Sequence, residues 1–209
     1  MVAHRFFRLA VIVGAVVAAS ASTMAARPGP DAQAKSEYLT GQLLVAAPDM
    51  PDPRFAETVI FIVKHDSNGA MGLVVNRLLA DGPIADLLEG FGLDSKGASG
   101  DIRVHYGGPV QPNFGFVLHS TDYAQEATHV VNDFAALTTE LDILHAISVG
   151  EGPRKSLFAL GYAGWAAGQL ESELDRASWY VAPADETILF DDELESKWDR
   201  VIAISGIEL

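Results

Sequence analysis

The chain has 209 residues, of which 14 are basic and 28 acidic, so its formal net charge at pH 7 is −14. This charge argues against a nucleic-acid-binding protein, because contacts to phosphates need a basic surface. The sequence contains no cysteine, which excludes disulfides, thiolate nucleophiles and cysteine-ligated metal sites.

The first 25 residues have the three zones of a secretory signal peptide. Basic residues precede the apolar stretch Leu9–Ala19, and small-residue cleavage signals follow at residues 19–21 and 23–25. The apolar stretch is short for a membrane-spanning helix. We therefore expect a cleaved leader, an exported, periplasmic protein and no stable membrane span after cleavage. The alternative is a cytoplasmic protein whose translation starts at Met24.

Behind this leader (1–25), residues 26–38 are predicted to be a polar linker and residues 39–209 a single domain. The domain begins with a predicted strand over residues 41–47. Residues 58–63 form a continuous apolar run, which predicts a central strand covered on both faces. Asn68-Gly69 separates this run from the next apolar segment and predicts a type I′ hairpin.

In the rest of the domain, predicted helices and strands follow one another without a regular order. Helices are predicted over 83–91, 141–149, 169–177 and 191–204, and strands over 102–106, 115–119, 128–131, 156–160 and 179–181. Because no regular strand–helix–strand repeat appears, the pattern favours an α+β (mixed α/β) fold over a doubly wound sheet.

Polar residues at the hairpin and three histidines are candidates for chemistry. His65 and Asn68 would present polar groups near the hairpin tip, although turn formation alone also explains Asn68 and Gly69. If His105 and His119 converged with His65, they could bind a metal or act as a base. The histidine spacing matches no helix-borne metal motif, so we expect no metal and no cofactor.

Two glycine-rich segments are open to structural and functional interpretations. Gly107-Gly108 could form an anion-binding nest, but no helix or phosphate-loop lysine follows, which favours a tight turn. Residues 160–165 (LGYAGW) are interpreted as a close-packed strand-to-helix junction, in which Trp165 is an apolar anchor.

These segments carry a resemblance to a known family. The segments GQLLVAAP (41–48), DPRFAETVIFIVKHDSNGAMGLVVNR (52–77), YGGPVQPNFGFVLH (106–119) and LGYAGWAAGQLESEL (160–174) resemble, in this order, the YqgE/AlgH family of bacterial proteins. The resemblance implies a strongly curved, partly antiparallel mixed sheet flanked by helices. It also implies a suggested regulatory role in exopolysaccharide synthesis, but no catalytic residues. The leader and the Arg77-Leu78 pair depart from the family pattern.

The candidate functional surface combines positions of that pattern with His105. It comprises His65, Asn68, Gly69, Asn76, His105, Gly107, Gly108, His119, Tyr162 and Trp165. Because most of these residues build turns, junctions and apolar surfaces, we favour a non-enzymatic regulatory or interaction protein with a protein partner. The alternative is a hydrolytic or metal-assisted enzyme with a histidine/asparagine cluster near the Gly107-Gly108 turn.

Overall fold

The computed structural model describes residues 38–206, which form ten strands and five helices. The strands are β1 (Leu43–Ala46), β2 (Val59–Asp66), β3 (Gly69–Val74), β4 (Leu78–Pro83), β5 (Asp101–Tyr106), β6 (Val110–His119), β7 (Thr128–Val130), β8 (Ala136–Thr138), β9 (Ser156–Ala166) and β10 (Trp179–Ala182). The helices are α1 (Ile84–Gly90), α2 (Asp142–Ser148), α3 (Gln169–Asp175), α4 (Glu186–Phe190) and α5 (Leu194–Ile204).

The strands form one curled sheet in the order β10-β1-β2-β3-β9-β6-β8-β7. β5 lies off this path, where it pairs with β4 and runs parallel to β9. The other pairings are antiparallel. This mixed, mostly antiparallel sheet with helices confirms the predicted α+β class.

β9 is the strand that connects the two halves of the sheet. One of its edges pairs with β5 along residues 158–160 and with β3 along residues 163–166. Its other edge pairs with β6. The predicted strand-to-helix junction at residues 160–165 is therefore wrong: the strand continues for six residues beyond Leu160, because β3 supplies hydrogen-bond partners there.

The chain crosses over β9 between β5 and β6. Both strands pair with the same residues of β9, so they lie on its two opposite edges. At the crossing, a Cβ added to Gly107 would lie 2.2 Å from the carbonyl oxygen of Gly161, and one added to Gly108 would lie 2.2 Å from the carbonyl carbon of Tyr162. The predicted turn at these glycines is thus a strand crossing, which only residues without a side chain permit.

Apolar side chains alternate between the two faces of the sheet. Leu43 and Phe61 pack on the face that α5 covers, whereas Leu44 and Ile60 pack on the opposite face with Leu170 of α3. A third cluster lies beneath α1 and α2. β2 is buried on both faces through Val63, which confirms its prediction as a central strand.

Several element boundaries and turns differ from those that the sequence predicts. The two turn residues of the β2–β3 hairpin are Ser67 and Asn68, one position before the predicted pair. Gly69 has a positive φ of 127° and Asn68 does not, so the type I′ assignment is wrong. The last helix begins at Leu194 rather than at residue 191, because the Asp191 side chain contacts Lys197 and Arg200 instead of starting the helix.

The predicted leader (1–25) and most of the linker (26–38) lie outside the described residues, as do residues 207–209. Within residues 38–206, the helices are too short or too polar to cross a bilayer.

Candidate functional site

A shallow depression lies where the β2–β3 hairpin meets the end of β9. It has a volume of about 390 Å³ and opens widely to solvent. We name it the hairpin depression; it is lined by Lys64, Asp66, Asn68, Gly69, Ala70, Met71, Val110, Tyr162, Gly164 and Trp165. Four of the predicted candidate residues therefore meet here: Asn68, Gly69, Tyr162 and Trp165.

The hairpin end of this depression is held by local contacts of Asp66. Its carboxylate accepts a hydrogen bond from the backbone N–H of Asn68 at 2.8 Å and pairs with Lys64 at 3.2 Å. These two contacts hold the pKa of Asp66 below its usual value. Gly69 follows with a positive φ, and a Cβ there would lie 2.1 Å from the carbonyl oxygen of Trp165. The absence of a side chain therefore lets β3 start directly against β9.

The floor of the depression is apolar because the small residue Gly164 leaves room for the ring of Tyr162. A Cβ on Gly164 would lie 3.0 Å from the Tyr162 ring, so the glycine leaves room for that ring. Tyr162 also packs edge-to-face on Phe116, with ring centroids 5.8 Å apart. Phe116 in turn contacts Phe114, whose side chain is exposed. An aromatic row thus extends from the depression to the surface.

A second depression of about 400 Å³ shares Gly164 and Trp165 with the first. We name it the tryptophan depression; it is lined by Met50, Pro51, Asp52, Arg54, Phe55, Pro109, Gly164, Trp165, Gln169, Glu173, Arg176, Ser178 and Trp179. It lies on the sheet face that carries α3, since Trp165 and Trp179 belong to the apolar cluster of that face. We refer to the two depressions together as the edge site.

Glu173 organises the tryptophan depression. One carboxylate oxygen accepts hydrogen bonds from the indole N–H groups of both Trp165 (2.8 Å) and Trp179 (2.9 Å). The other accepts one from the Gln169 side chain at 2.9 Å. The two indoles pack edge-to-face at 6.0 Å, and Phe55 packs against Trp179 at 5.6 Å. A carboxylate bound by two buried donors fixes the orientation of both rings.

His65 lies next to the edge site, but its side chain is buried. The backbone N–H of Leu39 donates to Nδ1 at 3.1 Å, so the proton of the neutral ring is on Nε2, which donates to Glu171 at 3.0 Å. The ring also packs edge-to-face against Tyr38 at 5.2 Å. His65 therefore fastens the start of the described chain to α3 and presents no free polar group at the hairpin tip.

The other two candidate histidines lie elsewhere and are also buried. Nδ1 of His105 donates to the carbonyl of Phe158 at 3.2 Å, and burial lowers the pKa of His105. His119 is the last residue of β6, and its side chain contacts Thr138 of the neighbouring strand β8.

Strand register separates His65 from the other two histidines, which lie on strands that pair with opposite edges of β9. The ladder through His65 reaches β9 at Trp165, whereas those through His105 and His119 reach it at Ala159 and Ser156. A strand rises by about 3.3 Å per residue, so six or more residues of β9 separate the first ladder from the others by about 20 Å or more. The structure does not bring the three histidines together. In the part of the chain that the structure describes, no three acidic or histidine side chains are grouped as metal ligands.

Comparison with known proteins identifies the family. The sequence profile described as AlgH-like matches residues 43–209. The chain belongs to the AlgH-like family. A UPF0301 protein of Methylococcus capsulatus is 47% identical over 170 residues, covering 81% of this chain and 93% of the relative. A UPF0301 protein of Rhodospirillum rubrum is 45% identical over 171 residues, covering 82% and 89%.

Solved structures agree with this assignment. The solution structure of the AlgH protein from Pseudomonas aeruginosa is 41% identical and superimposes with a TM-score of 0.70, covering 84% of this chain and 93% of that one. A crystal structure of a Corynebacterium diphtheriae protein, 20% identical, has a TM-score of 0.63 over 78% and 85% of the two chains, and shares the fold. The expected resemblance to YqgE/AlgH proteins is confirmed.

The remaining candidates of this AlgH-like chain support the backbone. The Asn76 amide accepts from the N–H of Val59 at 2.9 Å and donates to the carbonyl of Glu57 at 2.9 Å. Glu57 has a positive φ of 55°, so Asn76 stabilises a strained turn before β2. Gly107 and Gly108 form the crossing over β9, where backbone packs against backbone.

Glu173 is the residue of the edge site that sequence analysis missed. It lies in a helix among other acidic residues and carries no motif of its own. The signal that could have found it is indirect: Trp165 and Trp179 are almost fully buried, and a buried indole N–H needs an acceptor. The helix between the two tryptophans carries several acidic side chains that can supply this acceptor.

Proposed function

We propose that this AlgH-like protein has no catalytic role and acts as a regulatory interaction protein that binds a partner protein at the edge site. The observation that carries the proposal is a contrast within the molecule. The open apolar surface converges on Gly164, Tyr162 and Trp165, whereas the buried histidines are separated and each is held by its own hydrogen bonds. Acid–base catalysis needs such groups within hydrogen-bond reach of one substrate.

The chemistry of the edge site also suits a protein partner. The hairpin depression opens widely to solvent, and the linings of the two depressions combine aromatic side chains with paired charges such as Asp52–Arg54 and Lys64–Asp66. Aromatic residues surrounded by polar groups are typical of protein interfaces. Small-molecule sites, in contrast, enclose most of their ligand.

Site-specific photo-crosslinking tests this proposal. A photoreactive amino acid would replace Lys64, Asn68 or Arg176, which are exposed residues around the two depressions, and Glu151 as a distant exposed control. After irradiation of intact native cells, we expect one protein to be captured from all three edge-site positions and not from position 151. Capture that is equal at position 151, or no capture from the edge site, would contradict the proposal.

A point variant gives an independent check. Tyr162→Ala removes the ring that forms the floor of the hairpin depression, while the hydrogen bonds of Glu173 to both tryptophans remain. We expect capture from Lys64 to fall at least ten-fold. The matched control is Tyr123→Ala, since Tyr123 is a half-buried tyrosine that packs near His119, outside both depressions.

A further inference from the structure

The binding mode at the edge site follows from the point where the pairing between β6 and β9 ends. We propose that the partner is held by strand addition: an extended, basic peptide segment pairs with the free edge of β9 and places alternate side chains in the two depressions. This inference rests on the proposed function and specifies the kind of partner that the site takes.

The free edge is a consequence of where β6 stops. Among residues 38–206, β3 pairs with β9 as far as Ala166, but on the opposite edge the pairing with β6 ends at Tyr162 and no other strand continues it. The backbone N–H of Ala166 donates to the side-chain oxygen of Gln169 at 3.1 Å, so it points away from β3. Because backbone groups alternate along a strand, the N–H and C=O of Gly164 point to the same open edge. Gly164 is exposed there.

The side chain of Gln169 already makes one of the hydrogen bonds that an added strand would make. Its side-chain oxygen occupies the place that a carbonyl of a neighbouring strand would take opposite Ala166. Exposed edges of native sheets are commonly covered or blocked, because they pair readily with other strands. Here one residue of the edge is capped by a side chain, and Gly164, between this cap and Tyr162, faces solvent.

The two depressions match the geometry of a bound strand. Successive side chains of an extended peptide point to opposite faces of the sheet. The hairpin depression and the tryptophan depression lie on either side of Gly164, with volumes of about 390 and 400 Å³. In strand addition, main-chain hydrogen bonds provide affinity and pockets for alternate side chains provide specificity. The edge site offers both components.

Charge and side-chain size favour a foreign, basic peptide over a second copy of this chain. The linings together carry three basic and three acidic side chains, so the long-range field is set by the net charge of −14. That field attracts cationic segments and repels another copy. Moreover, self-pairing through the same edge would offer only Ala163, Gly164 and Ala166 beside the buried Trp165, and these side chains are too small to fill the depressions.

The test uses the wild-type protein and a fluorescein-labelled peptide, Lys-Lys-Val-Trp-Leu-Val-Lys-Lys. Two further versions carry N-methyl groups on alternate amides, one on the odd and one on the even positions. All three have the same side chains, but in a bound strand only one set of N–H groups faces β9. Fluorescence anisotropy should show that one methylation pattern weakens binding at least ten-fold and that the other leaves it within two-fold.

Amide hydrogen exchange locates the pairing. At saturation with the unmethylated peptide, exchange at the Gly164 amide should slow at least ten-fold, and the inactive N-methylated peptide should leave it unchanged. The variant Gly164→Pro removes this N–H and should abolish binding. If that variant fails to fold, the exchange measurement on the wild type decides the question.

Three outcomes would overturn the inference. The first is no binding of the peptide at millimolar concentration. The second is equal binding of both methylation patterns. The third is protection of the Gly164 amide without peptide, in a dimer seen by sedimentation. In the second case side chains alone hold the peptide, and in the third a second copy occupies the edge. Strand addition then fails while crosslinking from Lys64 and Arg176 can still support the proposed function, so the two failures are distinguishable.

Discussion

At the scale of single residues, Gly107 and Gly108 lie so close to the backbone of β9 that neither position has room for a side chain. Where the chain crosses β9, Gly107 lies against the carbonyl of Gly161, and Gly108 lies against the next peptide group. The atoms in conflict with an added Cβ belong to the backbone of a central strand, so they cannot move aside as a flexible side chain would.

The first prediction concerns this crossing. Gly107→Ala should lower the free energy of unfolding by about 3 kcal/mol or more, because its Cβ would overlap the carbonyl oxygen of Gly161. Gly82→Ala is the matched control: Gly82 also lies in a strand, and nothing lies within 4 Å of its added Cβ. We expect the control to be neutral or slightly stabilising. Urea unfolding compares them, and equal effects of both variants would contradict the crossing.

His119 lies at the end of a chain of hydrogen bonds. Its Nδ1 donates to the carbonyl of Ser120 at 2.9 Å, so Nε2 is free to accept from Thr138 at 2.9 Å. Thr138 is in turn 2.8 Å from Thr128, which accepts from the backbone N–H of Gln125. A proton on Nε2 would force this chain to reverse. Burial adds to the effect and lowers the pKa of His119.

The second prediction is a loss of stability in mild acid. Burial also lowers the pKa of His105, so the unfolded chain takes up protons at both positions first as the pH falls below about 6.5. The stability present above this pH is lost as the pH falls toward the lower, folded-state values. Each histidine contributes at most about 1.4 kcal/mol per pH unit. Urea unfolding between pH 7.5 and 5 measures the slope, which should be smaller in His119→Gln than in the exposed control His129→Gln.

At the scale of elements, the corner between α4 and α5 is built around a buried lysine. Nζ of Lys197 contacts the carbonyls of Leu189 and Asp191 at 3.3 and 3.4 Å and the Asp191 carboxylate at 3.3 Å. Lys197 thus binds carbonyls at the end of α4. Burial lowers the pKa of Lys197, although Asp191 opposes this shift. Arg200 pairs with the same aspartate at 2.7 Å.

The third prediction is that Asp191→Asn destabilises the protein more than Lys197→Met does. Asp191→Asn should lower the free energy of unfolding by about 3–5 kcal/mol, because it leaves the ammonium of Lys197 buried without its counter-charge. Lys197→Met should cost only about 1–3 kcal/mol, because the Asp191 carboxylate keeps Arg200 as its counter-charge and the groups that lose Lys197 as a donor are otherwise neutral carbonyls. Chemical denaturation gives both values; the reverse order would show that the ion pair contributes little.

Sequence patterns identified strands with continuous apolar runs, such as β2, and helices with apolar residues at helical spacing. They missed β4, because Asp81, Gly82 and Pro83 give this edge strand the composition of a turn. They also missed β8 and α4, which have only three and five residues. The last six residues of β9 were missed for a different reason: their partner, β3, lies some ninety residues earlier, and local sequence does not show such pairing.

The candidate site was predictable in part for a similar reason. Asn68, Gly69, Tyr162 and Trp165 stood out as motif residues, and the structure brings them together. His65, His105 and His119 stood out as titratable residues, but burial and register decide what a histidine can do, and neither is visible in a short sequence window.

At the scale of the whole molecule, the sequence of the N-terminal segment leads to a prediction about the compartment of this acidic domain. The order of basic, apolar and small residues in the first 25 positions predicts export. The fourth prediction is therefore that protein purified from native cells begins at Ser22 or Ala26 and is found in the periplasmic fraction. Intact mass and cell fractionation measure both properties. A cytosolic protein that begins at Met24 or Ala25 would contradict export and place the partner inside the cell.

The position of β9 also governs when the molecule can fold during its synthesis. β3, β5 and β6 all pair with this strand, and all three are synthesised before residues 156–166. Until then, three strand edges have no partner, and unpaired edges promote aggregation. A nascent chain that stops before residue 156 therefore cannot close its sheet. The unpaired edges therefore persist until residue 156 of the 209 has been added to the chain.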